Sequence, residues 1–478
     1  MTGYSNLSSD FAGYSNPWRK YFSVPTRLVP TRPLFLPKGE AMDNLLHLVA
    51  LGICCVGAWG VRLLQPLNAR SASSSISGLA LILCICASLL PGEEKPAQLM
   101  GDSWALLASL VGFLNLLSIP RTKFLSPGQT SVLTVALLFQ STAIATTIFS
   151  STKQLQILLV IESFLPLLSQ HLLPQRYKSF PIFQAIVLCL SSFNTSDFQT
   201  LGKVLQVVLI MARLGLFPFH GTMATLGKHY GFSLVLPMIL SPIPLQLLIQ
   251  VGLPVAPDQP YHGTLNTFCL ISLIYFPCIS LVQTDARMYW VYLTMGVHSL
   301  VVMALNQYHA YIIAAGLLYF FATWITLAGM GLVLRSLESR FGRLDIRHYL
   351  GLYPASPILA IGFLMFSIGC TAFPGFITFL PLEIIMHGIL EESMPSGIIL
   401  LLSASIFSAG NLWVFFKLFS GTREISGAIF QAKKREIITV CFLLFIAVFG
   451  NLFIPRIISQ TTERIEKHHL QKPAISHQ

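Results

Sequence analysis

Charge is what this chain has least of. Only 10% of its 478 residues are charged, against about 25% in soluble globular proteins, while 54% are hydrophobic. A soluble fold is excluded, and a polytopic membrane protein follows. Acidic residues are scarcest, 19 beside 30 Lys and Arg, giving a net charge of +11. That excess does not point to nucleic acid, because the basic residues sit in short loops between apolar spans, where they set topology. The nine cysteines all lie in apolar runs; Cys54-Cys55 and Cys84-Ile85-Cys86 lack the CxxC spacing of zinc or redox sites. Gly-rich phosphate loops, nucleophile elbows and HExxH are likewise missing. No cofactor, metal or catalytic site of the chain's own is expected.

What is present is a succession of apolar spans, about fourteen, running from 43–66 to 436–458. Loops alternate in sign. Arg62, Arg70, Arg121, Lys123, Arg176, Lys178, Lys228, Arg287, the 335–347 group and Arg423 to Arg435 fall in one set; Glu93, Glu94, Asp102, Asp197, Asp258, Glu391 and Glu392 fall in the other. By the positive-inside rule the first set is cytoplasmic and both chain ends lie outside. Residues 1–41 are polar, Pro-rich and basic, without a signal-peptide core. The codons for Lys38-Gly39-Glu40 would resemble a bacterial ribosome-binding site, so Met42 is expected to begin the mature protein and the cytoplasmic membrane of a bacterium to hold it.

Within the seventh span the run LIMARLGLFPFHGT (209–222) sets Arg213 deep among apolar residues, followed by Gly215, Pro218, His220 and Gly221. A charge and a broken helix each persist in a bilayer only where protein or a water-filled cavity satisfies them. Together they predict a hydrated site; His220 is expected to cap the exposed backbone. A second break is expected at GCTAFPGFITFLPLE (369–383), with Pro374, Gly375 and Pro381, and Glu383 just past it. Each break falls in the fourth span of a five-span block. Paired interruptions of this kind mark inverted-repeat transporters. The expected architecture is all-α, with two inverted five-helix repeats and broken seventh and twelfth helices. Its divisions are a basic extension (1–42), N-terminal helices (43–127), a first repeat (128–254), a second repeat (255–420), and a last helix with its polar tail (421–478).

QTDARMYWVYLTMGVHSLVVMAL (283–305), LGLFPFH (214–220), TAFPGFITFLPLE (371–383) and REIITVCFLLFIAVFGNLFIP (435–455) carry a resemblance. They resemble the antiporter-like membrane subunits of respiratory complex I (NADH-quinone oxidoreductase) and of multi-subunit cation/proton antiporters, most closely the chain M type. The resemblance implies a proton- or cation-translocating subunit among other membrane subunits in the lipid bilayer. Its ion pathway would use Glu162 in the fifth span, Arg213 at the seventh-span Lys position, His298 in the tenth, Glu383 in the twelfth, and His220 at the first break. Glu162, a lone carboxylate in LLVIESFLPLL (158–168), physically requires a partner, and Arg213 is the natural one. A locked structural pair is weighed evenly with a pathway role.

The departures are equally informative. Pro244 falls where the family's eighth-span Lys belongs, and the eleventh span YFFATWITLAGM (319–330) has no His. Arginine, unlike lysine, does not release its proton in a protein. These losses support an alternative: a degenerate anchor for a soluble catalytic partner, as in an inorganic-carbon uptake system. A free-standing solute transporter ranks third, for want of a polar substrate-binding set.

Overall fold

The computed structural model describes residues 39–63, 66–88, 101–118, 128–148, 151–167, 182, 185–187, 199–252, 260–422 and 432–471. The proposed start region before Gly39 and most of the expected sixth span lie outside the described residues. Among these residues the structure is helical, with one isolated bridge pairing Asp285 and Asp345. Eight helical stretches are long and apolar enough to cross a membrane, and shorter apolar helices accompany them. The chain is a multi-pass membrane protein.

Helices α1 (Gly39–Leu63), α2 (Pro66–Ser88), α3 (Gly101–Ser118) and α4 (Gly128–Ile148) pack as neighbours, α1 closing on α4. Then come α5 (Thr152–Phe164), α6 (Gln199–Leu214), α7 (Gly221–His229), α8 (Phe232–Ile239) and α9 (Ile243–Gly252). The second half holds α10 (Pro260–Leu281), α11 (Ala286–Leu305), α12 (Ala310–Phe341), α13 (Pro357–Cys370), α14 (Phe379–Glu392) and α15 (Met394–Phe419). Last are α16 (Lys434–Phe449), a 3₁₀ turn (Gly450–Phe453) and α17 (Ile454–Gln471). The last span was expected to end near 458; the helix instead continues through the 3₁₀ turn along α12.

Burial sorts these helices. Every residue of α11 but Met288 is buried, and α12 touches α3, α8, α11, α13, α14, α16 and α17. A helix apolar all round belongs in an interior, and α12 is that interior. At 32 residues it is about 48 Å long, more than the ~30 Å hydrocarbon core, so its end projects. The outer helices instead leave large apolar side chains uncovered, such as Trp59 on α1 and Phe442 and Phe445 on α16, as a lipid-facing surface requires.

Charges gather at the projecting end of α12. Arg287 pairs with Glu338 through two contacts (3.0 and 2.5 Å) and donates to the Tyr230 carbonyl at 2.5 Å. Arg340 pairs with Glu436, and Arg343 donates to the Lys228 carbonyl. Read from sequence as loop charges, Arg335 and Arg340 lie instead within α12. Arg335 is buried, donating to the Asn115 carbonyl at 2.8 Å and to its side-chain oxygen. The helix runs unbroken through Leu332, Val333 and Leu334 to Phe341, so the charge enters the bundle and finds Asn115.

Candidate ion-translocation site

The seventh span breaks as its glycine predicts. Gly215 has φ 74°, and the Leu216 N–H closes the end of α6 on the Met211 carbonyl at 3.0 Å. A Cβ at position 215 would stand 3.0 Å from Met223 Cγ. Beyond it the Phe217 N–H donates to Ser272 Oγ at 3.1 Å, and the Phe217–Pro218 peptide is cis. Freed backbone groups inside a span need such partners. His220 stands before α7 but its ring makes no capping bond. Instead Nε2 meets the Tyr275 hydroxyl at 3.1 Å, and the ring packs among Phe217, Tyr275 and Phe276. The capping expectation is corrected: the aromatic face of α10 draws the imidazole away from the helix end.

Arg213 lies one residue before the end of α6, and both it and Glu162 are 2% exposed. Arg213 Nη2 is 3.1 Å from Glu162 Oε2, and Nη1 is 3.8 Å from Met223 Sδ. The same Glu162 oxygen accepts a 2.8 Å bond from the Ser241 hydroxyl, whose oxygen accepts from the Ile243 N–H at 3.3 Å. Ser241 sits in a third interruption, between α8 and α9, where a continuous span over 230–253 was expected. Pro237, Pro242 and Pro244 remove three backbone donors there, enough to split the helix. The break turns Ser241 inward onto the carboxylate.

His298 joins from α11. Its Nδ1 is 3.1 Å from the Leu214 carbonyl at the end of α6. A carbonyl only accepts, so Nδ1 carries the proton and Nε2 is left as an acceptor. That Nε2 is buried without a hydrogen-bond partner among the described residues, as is Arg213 Nε. Buried polar atoms of this kind are commonly satisfied by ordered water. Glu162, Arg213 and His298 thus surround one broken helix end.

Glu383 does not join them. It is half-buried in the second turn of α14, with no hydrogen bond or ion pair among the described residues. The break before it is held differently: Ala372 takes φ 53°, the Thr378 hydroxyl donates to the Gly369 carbonyl at 2.6 Å, and the Ile377 N–H donates to the Ala447 carbonyl at 2.8 Å. The last span switches to its 3₁₀ turn just beyond Ala447, at Gly450.

Sequence reasoning did not reach Trp324 or Gln140. With Glu162, Asn115 and Pro242 they line a cavity of about 20 Å³. A buried Gln and Trp are ordinary core residues until such a cavity places them beside a carboxylate.

Comparison with known proteins settles the family. A family model described as NADH:quinone oxidoreductase/Mrp antiporter, TM, matches residues 130–408, more than half of the chain. The chain belongs to this family. Among curated members it is 22% identical over 255 residues to NADH-ubiquinone oxidoreductase chain 4 of Acanthamoeba castellanii, covering 52% of this chain and 51% of that protein. It is 22% identical over 265 residues to NADH-quinone oxidoreductase subunit M of Buchnera aphidicola, covering 54% and 52%. The chain thus spans about half the length of the curated relatives it matches. The fold is similar to a chain of respiratory complex I from Thermus thermophilus, with TM-score 0.72, 16% identity, and coverage of 88% of this chain and 99% of that one. It is also similar to a chain of the Mrp complex from Dietzia sp. DQ12-45-1b, with TM-score 0.73, 12% identity, and coverage of 88% and 52%. At these identities the likeness concerns the fold. The two broken spans, with Glu162, Arg213, His298 and Glu383, all lie within the matched residues.

Proposed function

We propose that the chain is an ion-translocating subunit, moving protons or another cation, within a larger energy-converting membrane complex of the NADH-quinone oxidoreductase kind. The observation that carries this reading is the Glu162–Arg213 pair, fully buried where two interrupted spans meet, with Ser241 on the carboxylate and His298 on the adjoining helix end. Ionisable groups at such depth mark ion pathways by default. The pathway assigned here comprises Glu162, Arg213, His298, His220 and Glu383, and the membrane is the bacterial cytoplasmic one.

Membrane partners are supported by the breaks themselves. Pro218 and Gly221 at the first, and Phe373, Pro374 and Gly375 at the second, are exposed on this chain. Irregular backbone within a span is not left facing lipid, so neighbouring subunits cover these two places.

One observation favours the second reading, an anchor for a soluble catalytic partner. The Glu162 carboxylate is held by a guanidinium and a hydroxyl, neither of which releases a proton near neutral pH. Purification of the assembly from native membranes, followed by reconstitution with a pH-sensitive dye, separates the two. Co-purified redox subunits with a dye response support translocation. A single soluble partner with no response contradicts it and supports the anchor.

A further inference from the structure

Trp324 is 3% exposed, yet its indole N–H has no hydrogen-bond partner among the described residues. An indole N–H buried in a span is costly when left alone. The residue lines the same cavity as Glu162, together with Gln140 and Asn115. At about 20 Å³ that cavity has room for a buried water, since about 10–15 Å³ is the least a single water needs. A water also needs two or more polar partners, and an N–H donor beside a carboxylate supplies a complementary pair.

We propose that Trp324 holds one buried water against the Glu162 carboxylate, making the indole a positioning residue for the ion path. The water accepts from the indole N–H and donates to the carboxylate. It thereby ties α12, the central helix of the second half, to α5 of the first. Trp324 also stacks on Phe320 (centroids 6.1 Å apart), whose ring lies 6.0 Å from that of His298. One face of α12 therefore connects the surroundings of both titratable groups. The indole fixes where the carboxylate can receive a hydrogen bond without itself exchanging a proton.

The functional arm of this inference rests on the reading of Glu162 as a pathway residue; the water site does not. A structure of the intact assembly that shows buried waters should place one within hydrogen-bond distance of both Trp324 Nε1 and a Glu162 oxygen. An empty cavity at that resolution overturns the proposal. Trp324→Phe removes the donor but also volume, so 3-benzothienylalanine at position 324, which keeps the ring shape and loses only the N–H, is the second variant. Infrared difference spectra, with the Glu162 band assigned against Glu162→Gln, should show the carboxylate stretch displaced in this variant while subunit composition is unchanged. An undisplaced band overturns the proposal. Proton-coupled turnover should fall about tenfold, in keeping with loss of a hydrogen bond to a charged group. A displaced band with full turnover keeps the water site and overturns the pathway reading of Glu162 instead.

Discussion

A guanidinium on a side chain 0% exposed can be kept only by groups that answer its charge, and Arg213 has Glu162 for that purpose. Breaking a buried pair by removing one partner costs about 3–5 kcal/mol, because the other charge is left bare. Glu162→Gln should therefore lower the amount of assembled complex, and Arg213→Met in the same chain should restore part of it. Blue-native electrophoresis measures both; a double variant no better than the singles contradicts the pairing. Ser241→Ala leaves the carboxylate one donor short and should cost about 1–3 kcal/mol, read as a lowered melting temperature of the purified assembly. An unchanged melting temperature contradicts a stabilising contact. The pair was legible in the sequence, since two lone opposite charges in apolar spans have to find one another. The Ser241 contact was not. A serine between prolines carries no sign of direction until the broken helix turns it onto Glu162. Trp324 was hidden for a similar reason: an indole in an apolar run reads as packing, and only the cavity shows its unpaired N–H.

At the scale of helices, the seventh and twelfth interruptions were legible because Pro and Gly remove donors and relax φ at fixed places in the chain. The eighth was missed although Pro237, Pro242 and Pro244 stand in it, since a single proline can kink a span without ending it. Helix contacts depended on small residues in ways the sequence did not disclose. Gly329 of α12 lies so near Phe366 of α13 that a Cβ there would stand 2.3 Å from the ring. Gly329→Ala must push α13 away from the central helix and should cost about 1–3 kcal/mol. Thermal unfolding of the detergent-solubilised assembly tests this, and an unaltered transition contradicts the close packing. The charges at the end of α12 were assigned to a loop because charge between apolar spans reads as loop, although no helix-stop signal stands before Gly342, which takes φ 76°.

For the molecule as a whole, the alternation of loop charge predicts which ends of the helices share a side. Cysteine labelling at the loop holding Arg343 and at the Glu392–Ser393 corner should report opposite faces of the membrane. Labelling of both from one face contradicts the topology. Across the molecule the ionisable groups are unequally suited to carrying protons. Arginine side chains do not release their proton in a protein, and Pro244 stands in the eighth span where the family resemblance implies a lysine. His298 brings an imidazole and Glu383 a carboxyl, side-chain types used for general acid–base work. Of the two, Glu383 has no ion pair or hydrogen bond among the described residues that would commit it to structure. Translocation should therefore depend on Glu383 far more than on Arg213, and Arg213→Lys should leave activity intact or raise it. The most direct measurement is proton movement by the reconstituted assembly carrying Glu383→Gln, followed with a pH-sensitive dye. The account predicts that proton-coupled activity is lost while the complex assembles normally; full pumping by this variant would contradict it and make the chain a passive anchor.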